Sequence, residues 1–452
     1  MASGLESVPR APGALPLVGH VWPLWRDTLA FVKSLRGHGE LVRVDIAGMP
    51  VYFATSAAYA HAVMVTNGPS FEKGRLFDRM RPLVGAGLAT ADSTTHRRHR
   101  RLMQPSFHRE RIADYCTVIG DRARTLADGW RAGQRLAVEE VMGEFAVDTL
   151  AATLFSADIG RGAVDAVCRD VPVILKNMLV RAVSPTFLDR LPIPPNRRFD
   201  AAAASLREVI DEVIAATRRT GRTDAGDLLS TLLAARDADT GEALTDTEVR
   251  DELVTILFAG TETVGSTLSW AFHEIARHPE VEKRILEEID RVVGRRPVGY
   301  QDVPELTYTR QVLDETLRLH GVTLLMRRAT AAVELGGVTV PVGTEIAFSL
   351  YAVHQDPALY PDPERFDPDR WLPENREGMP RESFVPFGSG SRQCIGDAFA
   401  RAEMTITLAT VLARWRLQPV PGREPREVVA AMPHADRVTM TILPRATGTA
   451  TT

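Results

Sequence analysis

The sequence predicts a mainly α fold, with one large helical domain built on a long central helix and a smaller β-rich part on its N-terminal side. Three observations predict it. From Arg109 to about Ala235 apolar residues recur at spacings of three and four amid abundant Ala, Leu, Arg and Glu, the period of helices that bury one face. From Thr245 to about Arg277 a single helical run continues without a break, long enough at about 1.5 Å per residue to cross a domain. Alternating, β-branched segments are short and fall mainly in two places, before residue 55 and between residues 332 and 348. No repeat, linker or low-complexity stretch divides residues 1–452, so one domain is expected, with an ordered core over about 21–444.

Taken in order, the elements have local reasons. After a proline-rich entry at Pro9, Pro12 and Pro16, a helix is expected from about Asp27 to Gly37, then strands Leu41–Ile46 and Val51–Ala54 joined through Gly48-Met49-Pro50. Thr245-Asp246-Thr247-Glu248 has the form of a capping box, in which the Thr hydroxyl and the Glu carboxylate each satisfy an N–H that a helix start leaves free. His278-Pro279 ends that helix. Helices Glu280–Val293 and about Thr309–His320 follow. The pattern then changes to strands at Ala332–Leu335, a Gly336-Gly337 turn, Val338–Val340 and Thr344–Phe348. A helix from Phe399 to Arg416 and a late strand Val438–Leu443 precede a frayed tail from Arg445.

Composition narrows the function. With 452 residues, 44% of them hydrophobic, the chain can bury a large core. A formal net charge of −4 argues against a general nucleic-acid binder, so any electrostatic partner must meet a local patch. The three cysteines, Cys116, Cys168 and Cys394, give no disulfide framework and fit a reducing compartment. No run of about 18 apolar residues occurs, and neither a signal peptide nor a membrane anchor is readable. A cytoplasmic, soluble monomer is expected.

Cys394 carries the most chemistry. It lies in Phe387-Gly388-Ser389-Gly390-Ser391-Arg392-Gln393-Cys394-Ile395-Gly396, just before a helical stretch whose free N–H groups and dipole favour a thiolate. The glycines admit something flat and bulky close to the backbone, and Arg392 can hold a carboxylate or phosphate of it. Read without its neighbours, Cys394 is one more buried cysteine ahead of a helix. With them, the run resembles the haem-binding loop of the cytochrome P450 family, matching at Phe387, Gly388, Gly390, Arg392, Cys394 and Gly396. The resemblance implies heme b with Cys394 as axial thiolate and with Phe387, Gly388, Arg392 and Gly396 around the cofactor. Without an anchor, the chain is similar to the soluble bacterial members.

Other stretches take meaning from that resemblance. Glu315 and Arg318 share a helix face and alone would be an ordinary solvated pair. The family carries such a Glu-x-x-Arg helix with a later arginine as third member, and Arg365, in Pro363-Glu364-Arg365-Phe366, matches it. The implied role of this buried network is to brace the cysteine loop. In the long helix, Ala259-Gly260-Thr261-Glu262-Thr263 interrupts an aliphatic run. A kink with a back-bonded threonine would explain it, and so would water access to a reaction centre. The resemblance favours the second, with Thr263 as the oxygen-activation alcohol and Glu262 relaying protons from solvent. His96 and Arg100, in the basic run Thr95–Arg101, match an i, i+4 pair that the family directs at a haem propionate. Arg97, Arg98 and Arg101 would then face outward, where an acidic electron donor docks. Arg327 is placed like the family's other propionate arginine, with Arg328 as the alternative.

A thiolate ligand pushes electron density onto haem iron and favours O–O cleavage. The implied activity is therefore a monooxygenase that inserts one atom of O2 into an apolar small molecule. No flavin or iron–sulfur module fits in this length, so NAD(P)H electrons would arrive through a separate ferredoxin and ferredoxin reductase. Segments that overhang the haem by analogy offer Phe77, Leu179, Ala259, Val322, Leu324 and Met432, a mostly apolar set suited to a hydrocarbon-like ligand. Pro12–His20 and Phe366–Glu374 resemble the actinomycete members that oxidise sesquiterpenes, which implies a terpenoid intermediate of secondary metabolism, with a macrolide, polyketide or fatty acid next. Gly321 stands where many relatives have Pro, a change expected to loosen the pocket-lining segment. The rivals are a peroxygenase, against which Glu262-Thr263 counts, a haem-thiolate isomerase or binding protein needing no electrons, and a haem-free hydrolase built on Cys394.

Overall fold

The computed structural model describes residues 3–154, 165–167, 169–171, 173–174, 177, 188–220, 227–237, 240–422, 424–429 and 432–445. Leu179 and Cys168 lie outside the described residues. The long helix spans Asp246–Arg277 and starts as its sequence dictates. The Thr245 hydroxyl accepts from the N–H of Glu248, and the Glu248 carboxylate accepts from the N–H of Thr245. Val249, Leu253, Leu257, Val264, Leu268 and Ile275 are buried along it, each such side chain contributing about 1.5–3 kcal/mol. Helices Val138–Leu154, Pro194–Thr220, Thr307–Leu319 and Asp397–Leu412 pack against it.

The closest of these packings explains the glycines. A Cβ on Gly260 would come 2.7 Å from Leu150 Cδ2, and one on Gly265 would come 3.0 Å from Gly143 Cα. Gly260 therefore serves close approach, and the helix runs through it unbroken.

The sheet draws on both halves of the chain. Leu41–Ile46 pairs antiparallel with Met49–Ala54, which pairs parallel with Glu345–Phe348. That strand pairs antiparallel with Leu325–Ala329, and Phe71–Lys73 completes the outer edge. Every residue of Glu345–Phe348 is buried, as expected of a strand covered on both faces. Val333–Leu335 and Val338–Val340 form a separate hairpin across Gly336-Gly337.

Some boundaries differ from the sequence pattern. The first expected helix is Thr28–Ser34, capped by Asp27 and continued by a tighter turn over Leu35–His38. The helix expected to reach Arg416 stops at Leu412, and Trp415–Pro419 is instead a strand paired with Thr439–Pro444. Trp415 makes the turn by donating its indole N–H to the Ala127 carbonyl at 2.8 Å. Among the described residues no helix is long and apolar enough to cross a membrane.

Candidate active site

The cysteine loop is shaped by its own backbone. The N–H of Cys394 donates to the Phe387 carbonyl at 2.9 Å, and that of Gly388 to Val385 at 2.8 Å. Gly388 and Gly390 take φ of 71° and 73°, the region that side chains disfavour. A Cβ on Gly390 would also sit 2.4 Å from the Met64 carbonyl oxygen. The helix Asp397–Leu412 starts at Gly396, whose N–H points at the sulfur. Cys394 keeps exposed surface. Burial nevertheless pushes its thiol above the ordinary value, and the Gly396 N–H and the Arg100 guanidinium oppose that without overcoming it. The helix-start stabilisation expected from sequence is present but outweighed by desolvation together with the Asp397 carboxylate. A bound metal would reverse that balance, because a coordinating thiol is deprotonated outright.

Cations gather beside this loop. Lys73 and Arg327 stand directly opposite each other across antiparallel strands, so they project from the same face. Burial, with Arg327 and Arg392 nearby, holds the Lys73 ammonium well below its usual range. Burial and Arg392 lower Arg327 to about 10. His96, 4% exposed, is pushed down to about 3 by burial and by Arg392, Lys73 and Arg100. Arg100 donates to the Gln393 carbonyl and Arg392 to the Ala91 carbonyl. Among the described residues, none of these five cations or potential cations is ion-paired with a carboxylate. The other face of the same strand is neutralised, since Arg328 bonds Glu345 and Asp78, both at 2.7 Å. That occupies Arg328 and leaves Arg327 with the cationic set.

Like charges opposed across strands destabilise a sheet, and unpaired buried charges are costly. An arrangement of this kind calls for an anion. A flat group carrying two carboxylates, with an iron that accepts one thiolate, fits these donors, and heme b is such a group.

The bracing network is built from the helix Thr307–Leu319. Arg318 donates to both oxygens of Glu315 at 2.9 Å, and both side chains are fully buried. Glu315 also accepts from the N–H of Asp367 at 2.9 Å, from Trp371 Nε1 at 3.1 Å and from Arg370 Nε at 3.3 Å. The third member expected from sequence, Arg365, is corrected here. Its side chain is exposed, and only its carbonyl takes part, accepting from Arg318 at 3.2 Å. The chain offers two look-alikes, Pro363-Glu364-Arg365-Phe366 and Pro368-Asp369-Arg370-Trp371. The second buries its aromatic residue, Trp371, against Glu315. The network reaches the cysteine loop through Arg401, which bonds Asp314 at 2.6 Å and Asp397 at 2.8 Å.

In the long helix, Ala259 is exposed amid buried neighbours, with Thr263 half-buried one turn on. The Thr263 hydroxyl donates to the Ala259 carbonyl at 2.7 Å, the back-bonded form that sequence left as an alternative, within an unbroken helix. Phe77 packs under Lys73, whose Nζ lies 4.2 Å from the ring centroid. Val322 and Leu324 are half-buried and Met432 is buried. Gly321 does not loosen its segment. A Cβ there would meet the Leu317 carbonyl at 2.5 Å, and the N–H of Tyr351 holds the Val322 carbonyl at 2.9 Å.

The basic run divides differently from expectation. Arg98 bonds Glu248 at 2.7 Å and Arg101 bonds Asp237, so neither guanidinium is free for a partner. Arg97 is exposed. It lines a hollow of about 530 Å³ with His96, Arg100, His108 and Gly390, next to the cysteine loop. Sequence reasoning missed His99, whose Nδ1 lies 2.6 Å from Glu252 and whose Nε2 lies 3.2 Å from Glu248. It also missed Lys73, which only strand pairing brings opposite Arg327.

The chain is similar to known proteins over nearly its whole length. A family model described as Cytochrome P450 matches residues 9–442. The chain is 43% identical to cyclooctat-9-en-7-ol 5-monooxygenase of Streptomyces melanosporofaciens, over 91% of this chain and 90% of that protein. It is 40% identical to cyclooctatin synthase of the same organism, over 92% and 91%. It is 39% identical to pentalenene oxygenase of Streptomyces avermitilis, over 97% and 98%.

Proposed function

The chain belongs to the cytochrome P450 family, and from that premise we propose that it is a haem-thiolate monooxygenase, a single domain that inserts one atom of O2 into an apolar terpenoid intermediate. The observation that carries this reading is the set of cations, without an ion pair among the described residues, beside a glycine-lined cysteine. Cys394 holds the iron, and Arg100, Arg327, Arg392 and Lys73 receive the two propionates. His96, neutral because of burial and its cationic neighbours, is left as a hydrogen-bond donor to one of them. Phe387, Gly388 and Gly396 shape the loop around the ring. Glu315, Arg318 and Arg370 hold that loop in place.

When bound, the haem supplies oxygen activation and attack on unactivated C–H bonds. Thr263 donates its proton to Ala259 and keeps its lone pairs, so its oxygen can accept a hydrogen bond from a water on the open face of the helix. Glu262, one residue before it, exchanges protons with solvent. Phe77, Ala259, Val322, Leu324 and Met432 form the apolar lining. The relatives named for cyclooctat-9-en-7-ol and pentalenene support a terpenoid as the ligand.

The family match occupies residues 9–442, and within this sequence that leaves no redox module. Electrons come from NAD(P)H through a ferredoxin and its reductase in the cytoplasm. Titrating the haem protein with cyclic terpenes, polyketides and fatty acids should shift the Soret band for a terpene. Turnover with that terpene under isotopically labelled O2 should place one labelled atom in the product. Product formed without NAD(P)H, ferredoxin and reductase would show an isomerase instead.

A further inference from the structure

His320 ends the helix Thr307–Leu319, immediately before Gly321 and Val322. Its ring stacks on Trp270 of the long helix, with centroids 4.0 Å apart and planes 3° from parallel. Nδ1 lies 2.7 Å from a Glu427 oxygen, and Tyr351 donates its hydroxyl to the other oxygen at 3.0 Å. On the far side Nε2 is 3.6 Å from Glu274, a Coulombic contact without a hydrogen bond.

Glu427 belongs to the strand Glu427–Val428, which pairs with His434–Ala435. Met432 and Pro433 lie just before His434. The Pro433 carbonyl accepts from Trp270 Nε1 at 2.8 Å and from the Ser266 hydroxyl at 3.0 Å. Glu427 and Pro433 are therefore both tied to the His320–Trp270 stack. Tyr351 adds a second tie by holding Val322 through its backbone N–H.

Burial works against the charged imidazole, but the flanking Glu274 and Glu427 carboxylates raise its pKa above the ordinary value. The other titratable groups near it are His273, kept neutral chiefly by burial, and Tyr351, whose pKa burial also raises. Arg277 and Glu424 pair with each other farther out.

We propose that His320 is a specificity-determining positioning residue. Through Glu427 and Trp270 it holds Met432 and Pro433 against the Val322–Leu324 segment, and so fixes the shape of the substrate pocket. This rests on the reading that those segments line the substrate pocket. Preformed walls favour a bulky ligand because binding then orders nothing.

The test uses the haem-loaded protein and two azoles that bind iron and shift the Soret band, imidazole and the much larger clotrimazole. His320→Phe keeps a ring on Trp270 and loses the ion pair, and Glu427→Gln keeps the shape of the strand if the first variant fails to fold. Each should weaken clotrimazole by roughly tenfold, the scale of a lost charge-assisted hydrogen bond, and leave imidazole within about twofold. A clotrimazole-to-imidazole ratio unchanged in both variants overturns the proposal. Met432→Trp separates the two readings. If it alters the ratio while the other variants do not, the pocket assignment stands and the positioning role falls. If it too changes nothing, both fall.

Discussion

Arg370→Ala and Arg365→Ala should differ sharply in stability, although the two arginines sit in nearly identical tetrapeptides. The Arg370 side chain is 12% exposed; its Nε lies 3.3 Å from Glu315, and its Nη2 donates to the Asp362 carbonyl at 2.7 Å. A hydrogen bond to a charged group contributes about 1.5–3 kcal/mol and a neutral one about 1 kcal/mol. The bond to Glu315 is long, which places it at the low end. Glu315 keeps both bonds from Arg318, so the penalty of about 3–5 kcal/mol for stranding a buried charge does not apply. The loss for Arg370→Ala should be about 2.5 kcal/mol. Arg365 is exposed and contributes a carbonyl that alanine retains, so its replacement should cost less than about 0.5 kcal/mol. Urea unfolding at matched haem content, followed by far-UV circular dichroism, reads both as midpoint shifts at constant m. Equal losses, or a larger loss for Arg365→Ala, would refute the assignment of Arg370 to the network.

Thr263→Ala should retain haem yet divert reducing equivalents to peroxide or water, measured as NAD(P)H consumed per product formed; unchanged coupling would place the proton path elsewhere. Arg97→Glu should slow ferredoxin-supported turnover most at low salt, whereas an unaltered rate would move the docking face away from the hollow beside the cysteine loop. His99 and Glu252 both have raised pKa values, against His by burial but for it by Glu252 and Glu248, and for Glu252 chiefly by burial. The folded state therefore binds more protons than the unfolded one, and stability falls as pH rises. The His99 contribution should be full below its ordinary value of 6.5 and fade as pH climbs through the raised one. The stability gap between wild type and His99→Gln should shrink accordingly, and a gap that is constant or widens from pH 6 to 9 would contradict the pairing.

Local features were legible in the sequence where the reason is local. The Thr245–Glu248 cap, the run Phe387–Gly396 and the Glu315–Arg318 spacing each need only a few neighbouring residues. What required folding was information held in pairing. Nothing near Phe71-Glu72-Lys73 announces that Lys73 will face Arg327, because strand register decides it. Arg365 and Arg370 are equivalent as text, and only the folded chain separates them, by placing Arg370 and Trp371 against Glu315 and leaving Arg365 exposed. The basic run suggests Arg97, Arg98 and Arg101 facing outward, yet Arg98 and Arg101, with His99 between them, turn to acids more than a hundred positions away. Leu325–Ala329 was hidden by its two arginines, of which Arg328 bonds Glu345 and Arg327 stands opposite Lys73 in the cation set beside the cysteine loop.

The carbon monoxide difference spectrum of the reduced protein tests the central claim most directly. Ligation of iron by the Cys394 thiolate predicts the long-wavelength Soret band of a thiolate-bound ferrous carbonyl in the wild type and its loss in Cys394→Ala. A colourless wild-type protein after porphyrin feeding, or a variant that keeps the band, would contradict it.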